Sequence, residues 1–119
     1  MQYMVVNDTE KLLAQMRRGS IEYCVLALLR SGDRYGFDIT RELAAADGLV
    51  TSEGTVYPLL TRLRNEGLVR TYWRESSEGP RRRYYHLTPE GEEALVPFIE
   101  QWQRFRNSVD AILTKERPR

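Results

Sequence analysis

Apolar residues recur at a helical spacing through most of this chain and change to a strand-like alternation only once. The stretch "TEKLLAQMR" (9–17) carries Leu12, Leu13 and Met16 on one side, which predicts a short first helix closed off by Gly19. "IEYCVLALLR" (21–30) follows Ser20 as N-cap and is apolar nearly all round, so it predicts a helix central to the core, ended by Ser31-Gly32-Asp33. "YGFDITRELAAADG" predicts an amphipathic helix with Phe37, Ile39, Leu43 and Ala44 inward, stopping at Gly48. A fourth helix, opened by Thr51 or Ser52 and stopping near Gly67, puts Val56, Leu59, Leu60 and Leu63 on one stripe. "LVRTYWRE" and "RRRYYHL", joined by "SSEGP", predict a β-hairpin with a long tip. "TPEGEEALVPFIEQWQRFRNSVDAILTK" then predicts a long helix with Thr88 as N-cap and Pro89 at its first position, before a frayed "ERPR" tail.

That order is mainly α with a small β-hairpin: a winged helix-turn-helix plus a long C-terminal dimerisation helix. Residues 1–87 are read as the N-terminal helix and the DNA-binding winged helix-turn-helix, and residues 88–119 as the dimerisation helix. In such a fold the third core helix enters the major groove while the hairpin wing lies on the backbone beside it.

The fourth predicted helix bears this out in its composition. Pro58 sits inside it, where a proline removes a backbone donor and presses on the carbonyl four residues earlier, but that residue is Gly54. Gly54, Pro58 and Thr61 lie opposite the apolar stripe with Tyr57 and Arg62 beside them, a short-chained, hydroxyl-rich face unlike the Lys and Glu expected for solubility alone. Ser52, Thr55, Tyr57 and Thr61 are therefore candidate contacts to phosphates or base edges, with Gly54 and Pro58 allowing close approach. Arg62 is a further candidate, although helix arginines also commonly lie in solvent.

Charge is local. The 119 residues carry a net charge of +1, but residues 51–86 hold seven arginines against four glutamates. In "GPRRRYY", alternation sends Arg82 and Tyr84 to one face and Arg83 and Tyr85 to the other, with Leu87 marking the buried face. Arg81 and Arg82 are accordingly the wing's phosphate or minor-groove candidates, and Arg83 is assigned to bracing the fold.

Leu95, Phe98, Trp102, Phe105, Val109 and Ile112 alternate steps of three and four, a heptad seam too large for a small three-helix domain to cover, which predicts a homodimer with help from Leu12 and Leu13. One cysteine, Cys24, excludes an intrachain disulfide and reads as a small buried hydrophobe. His86 has no histidine or cysteine partner at a metal-binding spacing, so no metal or other cofactor is expected, nor any catalytic residue, since no nucleophile elbow or phosphate loop is present. No apolar run approaches a membrane span and the N-terminus lacks a secretory pattern, which predicts a cytoplasmic protein.

Four segments in register, "GSIEYCVLALL", "YGFDITREL", "SEGTVYPLLTRLRNEGLV" and "GPRRRYYHLTPEG", resemble the PadR family of bacterial transcriptional regulators over roughly residues 19–95. The resemblance implies a homodimeric repressor on an inverted-repeat operator in double-stranded DNA, dimerised through its C-terminal helix. The single short C-terminal helix resembles the subgroup that includes multidrug-sensing repressors. Trp102, eleven residues after Gly91, stands where that subgroup stacks planar ligands, which implies a planar aromatic or cationic effector near Trp102, Met16 and Ile99. A tryptophan at a heptad position is equally an interface packer. The alternative functions are a winged helix that binds protein instead of DNA, and an enzyme of unrecognised type.

Overall fold

The computed structural model describes residues 6–47, 49 and 52–118, the side chains of 6–8 excepted. Gly48, the predicted stop of the third helix, and Thr51, one of two candidate caps for the fourth, lie outside the described residues. Among the described residues, five helices and three strands follow in order: α1 (Val6–Arg17), α2 (Ile21–Arg30), β1 (Arg34–Tyr35), α3 (Gly36–Ala45), α4 (Glu53–Asn65), β2 (Val69–Ser76), β3 (Gly79–Leu87) and α5 (Pro89–Leu113). Every predicted helix is present, and the strands form one antiparallel sheet in the order β1-β3-β2.

The core joins one stripe from each of α2, α3 and α4 to the inner face of the sheet. Val25, Leu26 and Leu29 meet Ile39 and Leu43, with Val56, Leu59, Leu60 and Leu63 of α4 beneath Val69 and Tyr85. Four buried positions in thirteen residues, at helical spacing, hold α4 firmly enough that Pro58 does not break it. The first two turns of α5 belong to the same core: Leu95, counted above in the dimer seam, is sealed at 1% exposure and offers nothing to a second chain. Thr88 caps that helix as predicted, its Oγ1 accepting from the Gly91 amide at 3.0 Å and donating to the Gly67 carbonyl at 2.7 Å.

Four local expectations are corrected. Ser20 occupies the N-cap position of α2, but its hydroxyl makes no cap bond; it donates backward to the Met16 and Arg17 carbonyls, tying off α1. In α3 the buried positions are Gly36, Ile39, Thr40 and Leu43, while Phe37 and Ala44 are exposed, because the helix turns its inner face one position away from the most apolar reading. The hairpin tip is short. Ser76 pairs with Gly79, which leaves a two-residue turn, Ser77-Glu78, and makes strand of residues assigned above to the loop. Finally, Arg34 and Tyr35 form β1, a third strand that pairs with Tyr85 and Tyr84; two residues are too few to show any periodicity.

Candidate nucleic-acid interface

The burial of Val56, Leu59, Leu60 and Leu63 turns the other side of α4 outward, and Ser52, Gly54, Thr55, Tyr57, Pro58, Thr61 and Arg62 are all exposed there. Ser52 is the N-cap residue, yet its hydroxyl makes no bond to the helix amides; it lies 3.4 Å from the Thr55 hydroxyl, so both hydroxyls sit at the helix entrance. Outside the backbone of α4 itself, a methyl group at Gly54 would meet only the Ser52 hydroxyl, at 3.6 Å, so no neighbouring element packs against this position. The space it leaves open faces outward, above a backbone whose next turn carries Pro58 and has lost a donor.

Tyr57 lies across the start of α3. A Cβ at Gly36 would stand 2.6 Å from the Tyr57 Cε1 and 2.9 Å from its hydroxyl oxygen, so the phenol reaches its place only because residue 36 has no side chain. Burial there, with the charge of Glu53 nearby, raises the phenol above its ordinary value and keeps it a hydrogen-bond donor. Arg62 is placed differently: its guanidinium reaches Glu22 of α2 at 3.3 Å and Glu66 at 3.4 Å, which draws it to the flank of α4 and away from the short-chained face.

The wing follows the alternation expected for it. Arg81 and Arg82 are exposed, Arg83 is half-buried and Tyr85 is buried. Arg81 and Arg83 both lie against Trp73, at 5.4 Å and 5.6 Å from its ring, and the Arg83 Nε is buried without an acceptor. The opposite face carries features that sequence reasoning missed. Tyr72, Tyr84 and Tyr35 stand side by side across the three strands, with ring centroids 5.7 Å and 5.9 Å apart. Arg74 lies over Tyr84 at 4.5 Å, and Arg82 over Tyr35 at 4.7 Å. Asp33, read above only as a helix stop, accepts from the Tyr72 hydroxyl at 2.6 Å and from His86 Nδ1 at 2.8 Å, joining the α2–β1 turn to both wing strands. Partial burial opposes its ionisation, but those two bonds and the charges of His86 and Arg70 outweigh it and hold the carboxyl below its ordinary value. The signal available in the sequence was the hairpin register, which a two-residue turn sets and a longer loop conceals.

Beyond Leu95, α5 carries an unpaired apolar face. Tyr23, Phe98, Trp102 and Phe105 form a ladder of rings, with centroids 4.1, 5.6 and 6.1 Å apart. Phe105 is 62% exposed, Ile112 66% and Met16 65%. Two adjoining grooves of about 810 Å³ and 400 Å³ lie between α1 and α5; Met16, Phe98 and Trp102 border both, Phe105 the larger, and Tyr23, Ile99, Leu13 and Leu95 the smaller. Leu12 is exposed and lines neither. Cys24, expected to be buried, is half-buried beside the smaller groove, and burial pushes its thiol up. No helix among the described residues is long and apolar enough to cross a membrane.

Residues 25–96 match the model of the transcriptional regulator PadR-like family. A PadR-like transcriptional regulator of Bacillus cereus is 35% identical and superposes with a TM-score of 0.77, covering 86% of this chain and 99% of that one. A PadR-like transcription factor of Bacteroides fragilis is 42% identical, with a TM-score of 0.69 over 86% of this chain and 98% of its own. An uncharacterised protein of Lysinibacillus sphaericus is 26% identical over 98 residues, covering 81% of this chain and 90% of that one.

Proposed function

We propose, from the premise that this chain belongs to the PadR-like family of transcriptional regulators, that it acts as a homodimeric, operator-binding repressor. Family membership carries DNA-binding regulation with it; the contact residues, the dimer and the direction of control go beyond it. The observation that supports it best is the outward face of α4, where a glycine that no neighbouring element packs against, an interior proline and three short hydroxyl side chains lie beside Tyr57. Such a face fits a major groove, in which bulky side chains would hold the helix away from the bases.

In this reading Ser52, Thr55 and Thr61 donate to phosphate oxygens or base edges, and Tyr57 reads bases from its seat on Gly36. Arg81 and Arg82 hold phosphates from the wing, and Arg62 stays with Glu22 and Glu66 as a brace between α2 and α4. Phe98, Trp102, Phe105, Val109 and Ile112 meet their counterparts in a second chain, with Leu12 and Leu13 closing over them. Half-sites then lie about one helical turn apart, ~34 Å. The grooves beside Trp102 would take a planar aromatic or cationic effector, since ring faces stack on planar molecules and attract cations. Binding there releases DNA only if the effector prefers one arrangement of the two DNA-reading heads. A protein-binding winged helix without DNA contacts is disfavoured by the exposed arginines of the wing.

The deciding experiment recovers DNA from a random pool with the protein and sequences it. An inverted repeat is expected. Replacing Arg81 and Arg82 together by Ala should weaken binding similarly across sequences and flatten its salt dependence, whereas Tyr57→Ala should change which sequences are preferred. Recovery of no sequence pattern at low salt would remove the operator reading.

A further inference from the structure

The strand register places Arg74 directly opposite Arg82 on the outer face of the sheet. Like charges in that position repel. Neither guanidinium meets a carboxylate among the described residues, whose ion pairs involve Arg30, Arg34, Arg41, Arg62 and His86. Both are held in place by rings, Arg74 over Tyr84 and Tyr72 at 4.5 Å and 5.9 Å, and Arg82 over Tyr35 at 4.7 Å. The rings are themselves stacked across three strands, and Asp33 pins one end of the row through the Tyr72 hydroxyl. Two cations have thus been set on opposite strands over a stacked aromatic floor, and no ion pair among the described residues offsets their repulsion.

We infer that Arg74 and Arg82 form a fork for one phosphodiester of the DNA backbone, outside the bases read by α4. The position supports this partner. Tyr35 immediately precedes Gly36, on which Tyr57 of α4 lies, so the row of rings begins beside the proposed recognition helix and leads away from it along the sheet. A backbone that leaves the major groove past Tyr57 meets the fork next. Guanidiniums suit this task because their planar donors match phosphate oxygens, while the ring faces beneath them limit how far they can turn. The fork rests on the DNA-binding reading and gives a role to Arg74, which is not among the contacts assigned above.

The test compares full-length wild type with Arg74→Gln on the duplex that the wild type selects from a random pool, with neutral methylphosphonate linkages introduced one at a time along each strand. One linkage per half-site should weaken the wild type about tenfold or more while weakening Arg74→Gln clearly less. Arg82→Gln should likewise respond less to the same linkage, and the double variant, which should be indifferent to it, should lose less than the sum of the two singles, because both arginines hold one group. The salt slope of Arg74→Gln should be shallower by about 1. Free of DNA, that variant should melt close to the wild type, since loss of the ring contacts is offset by relief of the like-charge pair; a much lower midpoint would assign Arg74 to the fold and overturn the inference. An Arg74→Gln variant that keeps wild-type affinity, or that responds to every linkage as the wild type does, overturns it as well. So does protection by inorganic phosphate with no change toward the duplex. A wild type that retains no DNA at all would instead remove the DNA-binding reading beneath it.

Discussion

Phe105 lies at the middle of the exposed half of α5, on the ladder that begins at Tyr23, and is 62% exposed in the single chain. Full burial of a phenylalanine side chain is worth roughly 1.5–3 kcal/mol, so covering what remains exposed is worth about 1–2 kcal/mol per copy. A two-fold interface counts the residue twice. Phe105→Ala should therefore cost the dimer about 2–4 kcal/mol, which weakens association by about thirty- to several-hundred-fold. Phe105→Glu should go further, because it adds two carboxylates to an apolar seam with no partner for either. The variants should remain folded, since Leu95 and the other core residues are supplied by one chain. Sedimentation across a concentration series reads the association, with Gln103→Glu as the control, because Gln103 borders a separate shallow groove on α5 and pairs with Asn107. A wild type that sediments as a monomer at micromolar concentration, or a Phe105→Glu variant that associates as the wild type does, would refute the reasoning.

Gly36→Ala should push the Tyr57 ring off the start of α3 at a cost of about 1–3 kcal/mol in stability, and should alter operator preference as Tyr57→Ala does; unchanged melting and unchanged selected sequences would show that the contact is not needed. Asp33 binds its proton less tightly folded than unfolded, so its contribution to stability is full at neutral pH and is lost as pH falls through the folded value. The difference in melting temperature between wild type and Asp33→Asn should accordingly shrink on acidification, and a gap independent of pH would argue against the Tyr72–Asp33–His86 link. Planar dyes should quench Trp102 fluorescence and release DNA. The second tryptophan complicates this measurement, because Trp73 lies against Arg81 and Arg83 in the wing, so Trp73→Phe must first be shown to leave DNA binding intact. Absence of quenching across a broad panel would leave Trp102 as a packing residue.

Much of this molecule was legible as a one-dimensional pattern because its helices bury single stripes. The stripe of α4 settled that helix, its buried face and hence the outward Gly54, Tyr57 and Pro58, whatever the rest of the fold did. The capping of α5 by Thr88 was equally local, a hydroxyl three residues from the amide it satisfies. Tertiary structure decided what depended on distant partners. Leu95 and Phe105 occupy the same seam in sequence, yet one is sealed against α2 and the sheet while the other stands clear, because the core ends partway along α5. Arg62 and Arg82 were both candidate contacts, but Glu22, forty residues away, claims the first, whereas the second faces Arg74 across a register that a two-residue turn sets. Asp33 became a link to both wing strands only when β1 joined the sheet, and a two-residue strand exists through its neighbour's hydrogen bonds, not through any pattern of its own.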